Sequence, residues 1–481
     1  MAHGMERLIT KLRNERRLEA EEYRALLVCD DGEVSRKLQE AARKTALARF
    51  GNRIYIRGLI EITNICRNDC LYCGIRKSNR KTERYALDKA EILECCRTGY
   101  GLGFRTFVLQ GGEMPEHSDR MIEDVCKAIH AEFPDCAITL SLGERRAESY
   151  ERFFKAGATR YLLRHETHNP EHYSLLHPAE MSLEHRLQCL DTLKGIGYQT
   201  GTGIMVGSPF QTFDNIVEDI MYISDFRPEM IGIGPFIPHK DTPFAGYGTG
   251  LVDSLPVDII GLTLKLISIF RLMFPDALIP ATTALATLAP DSEETDRIKM
   301  DQDGQLHEKL RPLPGGRELG ILSGANVVMP NLSPAGVRHR YSLYDNKVST
   351  GAEAAEGLAQ LEASLGRIGY RITVDRGDFS SYKTSAPGPD PCPFVPDIFQ
   401  RSLAMAGKPP SAEKKLQDED GNTDEKAESI AAMRGNVQSE RKIHQGADHR
   451  LAYVIGQAHP PVKTQSGNGS AEPGIPIKQH K

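Results

Sequence analysis

Apolar residues recur along this chain in two rhythms. From about Glu6 to Arg49 the positions Leu8, Leu12, Leu18, Leu26, Leu27, Leu38 and Leu47 sit among many charges, which predicts two or three amphipathic helices over 1–50, packed outside the core. From Ile54 onward, short β-branched or apolar runs alternate with longer charged segments of helical period. Eight such runs stand out, at 56–63, 104–110, 137–142, 159–164, 201–206, 230–235, 277–283 and 325–330. Strand-helix alternation repeated eight times predicts an α/β chain whose parallel strands close into a (β/α)8 TIM-type barrel over 51–345. A doubly wound open sheet is the alternative.

The rhythm breaks in three places. The hydrophilic stretch at about 290–320 reads as a surface insertion in the last barrel unit, and 346–384 as a C-terminal helical extension. Beyond that, 385–481 is rich in Lys, Glu, Asp, Gly, Ser and Gln with few aromatics, so it reads as a disordered tail with one short helix near 423–434. Composition otherwise suits a globular protein: 40% hydrophobic, 26% charged, net charge -5. No basic run is interleaved with aromatics, which argues against nucleic acid as a partner. The charged N-terminal stretch lacks the apolar core of a secretory signal, and no stretch reaches the roughly 18 apolar residues of a membrane span. The expected setting is the reducing cytoplasm, where clustered thiols signal metal or redox chemistry rather than disulfides.

Such a cluster exists. In "EITNICRNDCLYCGIRKSN" the residues Cys66, Cys70 and Cys73 form a C-x3-C-x2-C array directly after the first run. The other seven cysteines are scattered and read as small buried hydrophobes. Tight thiolate spacing suits zinc or an iron–sulfur cluster. Structural zinc wants four closed ligands, and no second knuckle follows within reach. A cubane on three cysteines leaves one iron open to an amine and a carboxylate from a small molecule. An incidental buried group is the third reading. Polar and Gly-rich strings such as "QGGE", "GER", "HET" and "VGSP" follow the later runs, at the barrel end where chemistry is usually placed.

With Tyr72 just before the third cysteine, the array resembles the signature of the radical S-adenosylmethionine superfamily. The resemblance implies a [4Fe-4S] cluster on Cys66, Cys70 and Cys73, with S-adenosyl-L-methionine as the fourth ligand, reductively cleaved to a 5′-deoxyadenosyl radical. It implies that Gly111, Gly112 and Glu113 meet the cofactor's amino group. Tyr72, Ser141, Glu166 and Arg186 are the other expected cofactor contacts, Arg186 as a fork for the carboxylate.

The strings "YLLRHETHNP", "GIMVGSPFQT", "GIGPFIPHKDTP", "IPATTA" and "GANVVMPNLSP" are similar to those of the HydE family of [FeFe]-hydrogenase maturases. This implies an enzyme acting in assembly of the diiron subcluster of the H-cluster, on an organometallic iron-cysteinate from HydG. HydG, HydF and a low-potential electron donor are the implied partners. Gln110, Thr139, Ser141, Arg160 and Arg164 would line the substrate cavity, as would Thr282, Thr283, Met329, Tyr341 and Tyr344. Guanidinium and hydroxyl donors suit an anionic, cyanide-bearing substrate. Some members carry a second cluster on cysteines beyond the eighth strand. The corresponding stretch here, "YDNKVSTGAEAAEGLAQLEASLG", has none, so no auxiliary cluster is expected. Competing readings are a methylornithine synthase-like radical mutase, a biotin synthase-like enzyme, and a zinc-stabilised scaffold.

Overall fold

The computed structural model describes residues 2–248, 251–253, 255–289, 298–300, 306–309, 314–347 and 354–380. Three helices open the chain, Ala2–Glu15, Ala20–Val28 and Gly32–Phe50. The third begins where the Asp31 carboxylate accepts the amides of Glu33 and Val34, and stops at Gly51, whose φ of 62° a side chain would strain. Leu12, Leu26, Leu27 and Leu38 are buried, and this helix lies against Ile259–Met273 of the barrel's outer layer.

The expected barrel is present. Strands Gly58–Thr63, Thr106–Gly111, Ala137–Ser141, Ala158–Leu162, Gln199–Thr202 and Met230–Ile231 pair in that order, all parallel. The circle closes through single bridges from Met230 to Leu278, from Pro280 to Val327 and from Leu59 to Asn331. Phe107, Leu109, Ile138 and Leu140 are fully buried on the side of these strands facing the helices, as parallel sheets require.

Several boundaries differ from the sequence reading, each for a local reason. The run at 277–283 makes only bridges, because Pro280 has no amide for a ladder, and Thr283 already begins the helix Thr283–Leu288. The first run, 56–63, is interrupted at the buried Arg57: Ile56 closes an earlier strand, Arg53–Ile56, and the barrel strand is Gly58–Thr63. The segment taken as a helical extension holds the helix Ala354–Arg367 and also the strand Arg371–Thr373, which pairs in parallel with Arg53–Ile56. Within the stretch read as a surface insertion, Ile298–Met300 and Leu306–Lys309 form an antiparallel pair, and the helix Gly316–Leu322 packs so closely that a Cβ on Gly316 would lie 2.1 Å from the Leu285 carbonyl oxygen. The tail at 385–481, with its expected short helix, lies outside the described residues. Among the described residues no helix is long and apolar enough to cross a membrane.

Candidate active site

The first barrel strand delivers the cysteine loop to the C-terminal end of the barrel, and several anchors fix it there. Thr63 Oγ1 donates to the Tyr85 carbonyl at 2.7 Å, and Asn64 Nδ2 to the carbonyls of Glu83 and Arg340 at 2.8 Å each. The Arg84 guanidinium gathers four carbonyls, those of Asn64, Ile75, Arg76 and Asn79. Cys66, Cys70 and Cys73 are free and line one end of a cavity of about 350 Å³.

Burial pushes all three thiols up, Cys73 to about 12, and the thiols raise one another where they approach. The amides of Asn68 and Glu113 oppose the shift at Cys66, and that of Ile75 at Cys73. Among the described residues no three His, Cys, Asp or Glu side chains close on one point as a single-ion site requires. Three thiols sharing one cavity wall fit a polynuclear cluster.

The second strand ends in Gly111–Gly112–Glu113 directly beneath this loop. A Cβ on Gly112 would sit 2.4 Å from the Ile65 carbonyl oxygen and 2.9 Å from Cys66 Cβ, so only glycine lets the two backbones pass. Both glycines line the cavity. The Glu113 carboxylate is buried and committed to protein: Oε1 accepts Arg67 Nε at 2.7 Å and Oε2 accepts the Glu144 amide at 2.8 Å. The sequence reading sent this motif to a ligand; in the structure Glu113 lines the cavity together with the two glycines, and its carboxylate also braces the loop.

Arg186 stands on the helix Leu183–Ile196 and reaches the same cavity. Its Nε donates to Glu144 Oε1 at 2.5 Å and its Nη1 to the Arg164 carbonyl at 2.6 Å. Burial works against its charge, but Tyr173 and Glu144 hold its pKa well above the ordinary value, so it stays a cation. Glu166 adopts a left-handed φ of 67°, fixed because its amide donates to the Gly203 carbonyl and its carbonyl accepts Met205 N. Its Oε1 accepts Arg164 Nε at 3.0 Å, while Oε2 is buried and, among the described residues, has no hydrogen-bond partner. A buried acceptor without a donor is costly unless a ligand supplies one.

Tyr72 lines the cavity beside the thiols, and its hydroxyl lies 3.2 Å from His177 Nε2. The His177 Nδ1 faces the Tyr173 carbonyl at 3.0 Å and so carries the ring proton. Burial and Arg186 push His177 down to about 3, leaving it neutral and the Tyr72 hydroxyl the donor. Ser141, Gln110, Arg164, Thr282, Thr283 and Met329 also line the cavity. Tyr341 and Tyr344 complete its wall, with Gln110 Nε2 donating to the Tyr341 hydroxyl at 3.3 Å.

Two expected residues are not brought there. Thr139 is buried in its strand and absent from the cavity lining. Arg160 is fully buried nearer the strands' N-terminal ends, where it donates to Thr106 Oγ1 at 2.9 Å, the Arg376 carbonyl at 2.8 Å and Asp378 Oδ1 at 2.6 Å. Conversely, sequence reasoning passed over Arg67, Glu144 and His177. Arg67 had a signal in its place inside the cysteine array and Glu144 in the string "GER"; His177 had none.

Comparison with known proteins agrees with this geometry. The sequence profile of the Radical SAM superfamily matches residues 60–223. The chain is 43% identical over 298 residues to the [FeFe] hydrogenase maturase subunit HydE of Thermotoga maritima, covering 62% of this chain and 76% of that protein. It is 31% identical over 268 residues to 3-methylornithine synthase of Methanosarcina barkeri, covering 55% and 73%. Among solved structures, methylornithine synthase (PylB) superposes with a TM-score of 0.59 at 24% identity, over 76% of this chain and 97% of that one. The [FeFe]-hydrogenase maturase HydG gives 0.60 at 19% identity, over 78% and 77%, a likeness that bears on the fold alone.

Proposed function

Because this chain belongs to the radical SAM superfamily as a HydE-like member, we propose that it is a maturase acting in assembly of the diiron subcluster of an [FeFe]-hydrogenase. The observation that carries the chemistry is that three free thiols, the cationic Arg186 and the unpartnered Glu166 Oε2 open on one cavity. Cys66, Cys70 and Cys73 would hold a [4Fe-4S] cluster, which when bound supplies the electron that splits S-adenosylmethionine into methionine and a 5′-deoxyadenosyl radical.

The chain's own residues bind, orient and exclude water. Arg186, held by Glu144, offers its remaining guanidinium edge to the cofactor carboxylate. Glu166 Oε2 accepts from a ribose hydroxyl or the ammonium, and the Gly111–Gly112 backbone lets the ligand approach closely. The Tyr72 ring, fixed by His177, forms the wall beside the thiols. Arg164, Thr282 and Thr283 present donors to an anionic organometallic substrate delivered by HydG, while Met329, Tyr341 and Tyr344 enclose it. HydF is the partner expected to receive the product.

The 31% identity to methylornithine synthase supports a second reading, a radical mutase acting on an amino acid in the same cavity. The test is complementation of a hydrogenase-producing host that lacks its own maturase, run beside lysine turnover by the anaerobically reconstituted protein. Restored hydrogenase activity without lysine turnover supports the maturase; the reverse pattern moves the assignment to the mutase.

A further inference from the structure

Glu166 enters the cavity wall from a backbone conformation that costs free energy. Its φ of 67° is a left-handed turn that a residue with a Cβ disfavours, and such strain persists only where the surroundings over-determine it. The bonds of its own backbone to Gly203 and Met205 are one part of that restraint. The residues on either side supply another.

His165 and His168 flank the turn, and the helix Phe213–Phe226 grips both. Asp219 Oδ1 accepts the His168 amide at 2.5 Å and lies 3.3 Å from His165 Nε2. Three positions on, on the same face of that helix, the Tyr222 ring stacks on His168 with centroids 4.5 Å apart and meets His165 edge-on at 4.9 Å. Thr202 Oγ1 holds the other side of the His165 ring, 2.8 Å from Nδ1. His165, Asp219 and Thr202 are all fully buried.

A carboxyl group is costly in that position. Burial pushes Asp219 well above the ordinary carboxylate range, and its Oδ2 has no hydrogen-bond partner among the described residues. An apolar side chain of similar size would avoid both costs, but it could not accept the His168 amide.

We propose that Asp219 is a positioning residue for Glu166: with Tyr222 it clamps His165 and His168, and so holds the left-handed turn that keeps the Glu166 carboxylate in the cavity wall. This rests on the reading above, in which the unpartnered Glu166 Oε2 accepts from a ribose hydroxyl or the ammonium of S-adenosylmethionine. The clamp touches neither the ligand nor the thiols and acts through Glu166 alone.

The test uses the full chain, with and without the reconstituted cluster. It reads S-adenosylmethionine binding by titration calorimetry and, by mass spectrometry, hydrogen exchange of the Glu166 amide, which is bonded to Gly203. In Asp219→Leu, affinity is expected to fall roughly tenfold, with iron uptake unchanged and the Glu166 amide exchanging faster. Asp219→Asn keeps an acceptor for the His168 amide and should recover most of both. Glu166→Ala also weakens binding, but adding Asp219→Leu to it should cause no further loss, because the clamp works through that one side chain. If Asp219→Leu does not fold, Thr202→Val, which frees one side of the His165 ring, takes its place in the same comparison, with a loss of about threefold. Losses that add in the double variant, equal damage in the Asn and Leu variants, or an unaltered exchange rate overturn the proposal. A wild-type protein that binds no S-adenosylmethionine, yet whose Glu166 amide exchanges faster in Asp219→Leu, upholds the clamp and counts against the cofactor reading instead.

Discussion

Arg67 and Glu113 are joined twice: the Arg67 amide donates to the Glu113 carbonyl at 2.8 Å, and the Arg67 Nε donates to Glu113 Oε1 at 2.7 Å. The pair ties the loop of the three thiols to the end of the second strand. Through Oε2 and the Glu144 amide it also touches the residue that holds Arg186. Glu113→Gln keeps the shape and removes the charge. Hydrogen bonds to charged groups contribute about 1.5–3 kcal/mol, so affinity for S-adenosylmethionine should weaken by roughly tenfold or more. Equilibrium binding to the reconstituted variant checks this; undiminished affinity would show that the brace does not matter to the site.

Cys70→Ser removes one of the three thiols that line the cavity. Iron content and the visible absorbance of the reconstituted protein should fall, and S-adenosylmethionine cleavage should be lost. Cys29→Ser, at a partly buried position in the N-terminal helical region, should behave as wild type. Equal iron in both variants would contradict the cluster assignment.

Gly112→Ala puts a methyl group against the Ile65 carbonyl oxygen at 2.4 Å, backbone that cannot swing aside as a side chain could. The strain should cost about 1–3 kcal/mol and displace the loop beside Cys66. A lowered unfolding midpoint together with reduced iron uptake is the expected result. Gly101→Ala is the control, since a Cβ there meets nothing within 4 Å.

These sites show where sequence reading reaches and where it stops. Most barrel strands were legible because parallel strands are covered on both faces, so runs such as Phe107–Leu109 are uniformly apolar. The thiol array was legible because its spacing is local. The seventh strand was overextended: its apolar run conceals Pro280, which ends pairing, and Thr283, which starts a helix. Arg160 misled because its partners, Arg376 and Asp378, lie more than two hundred positions away and announce themselves by no pattern. His177 and Glu144 were missed for the same reason. Each acts through contacts with residues from other elements, His177 on Tyr72 and Glu144 on Arg186 and Glu113.

Asp378 supplies a prediction about pH. Burial opposes its charge, but Arg160 and Arg376 hold its pKa down to about 2, against 3.8 for the free side chain. A depressed carboxylate stabilises the fold above the unfolded pKa and loses that contribution as pH falls through the folded one. Asp378→Asn should therefore cost about 2 kcal/mol in urea unfolding, equally at every pH from about 5 to 8. A cost that varied across that window would assign it to another group.

The pairing of Arg371–Thr373 with Arg53–Ile56 governs the order of assembly during synthesis. A ribosome that has just released Arg53–Ile56 must add some three hundred residues before Arg371–Thr373 exists, and contacts so distant in sequence form late. Until Asp378 emerges, Arg160 has no carboxylate to neutralise it, so the nascent barrel carries an unpaired cation at its floor. The cysteine loop is made early and depends only on nearby segments for many of its anchors, so this chain can present its thiols before the far end of the barrel is sealed.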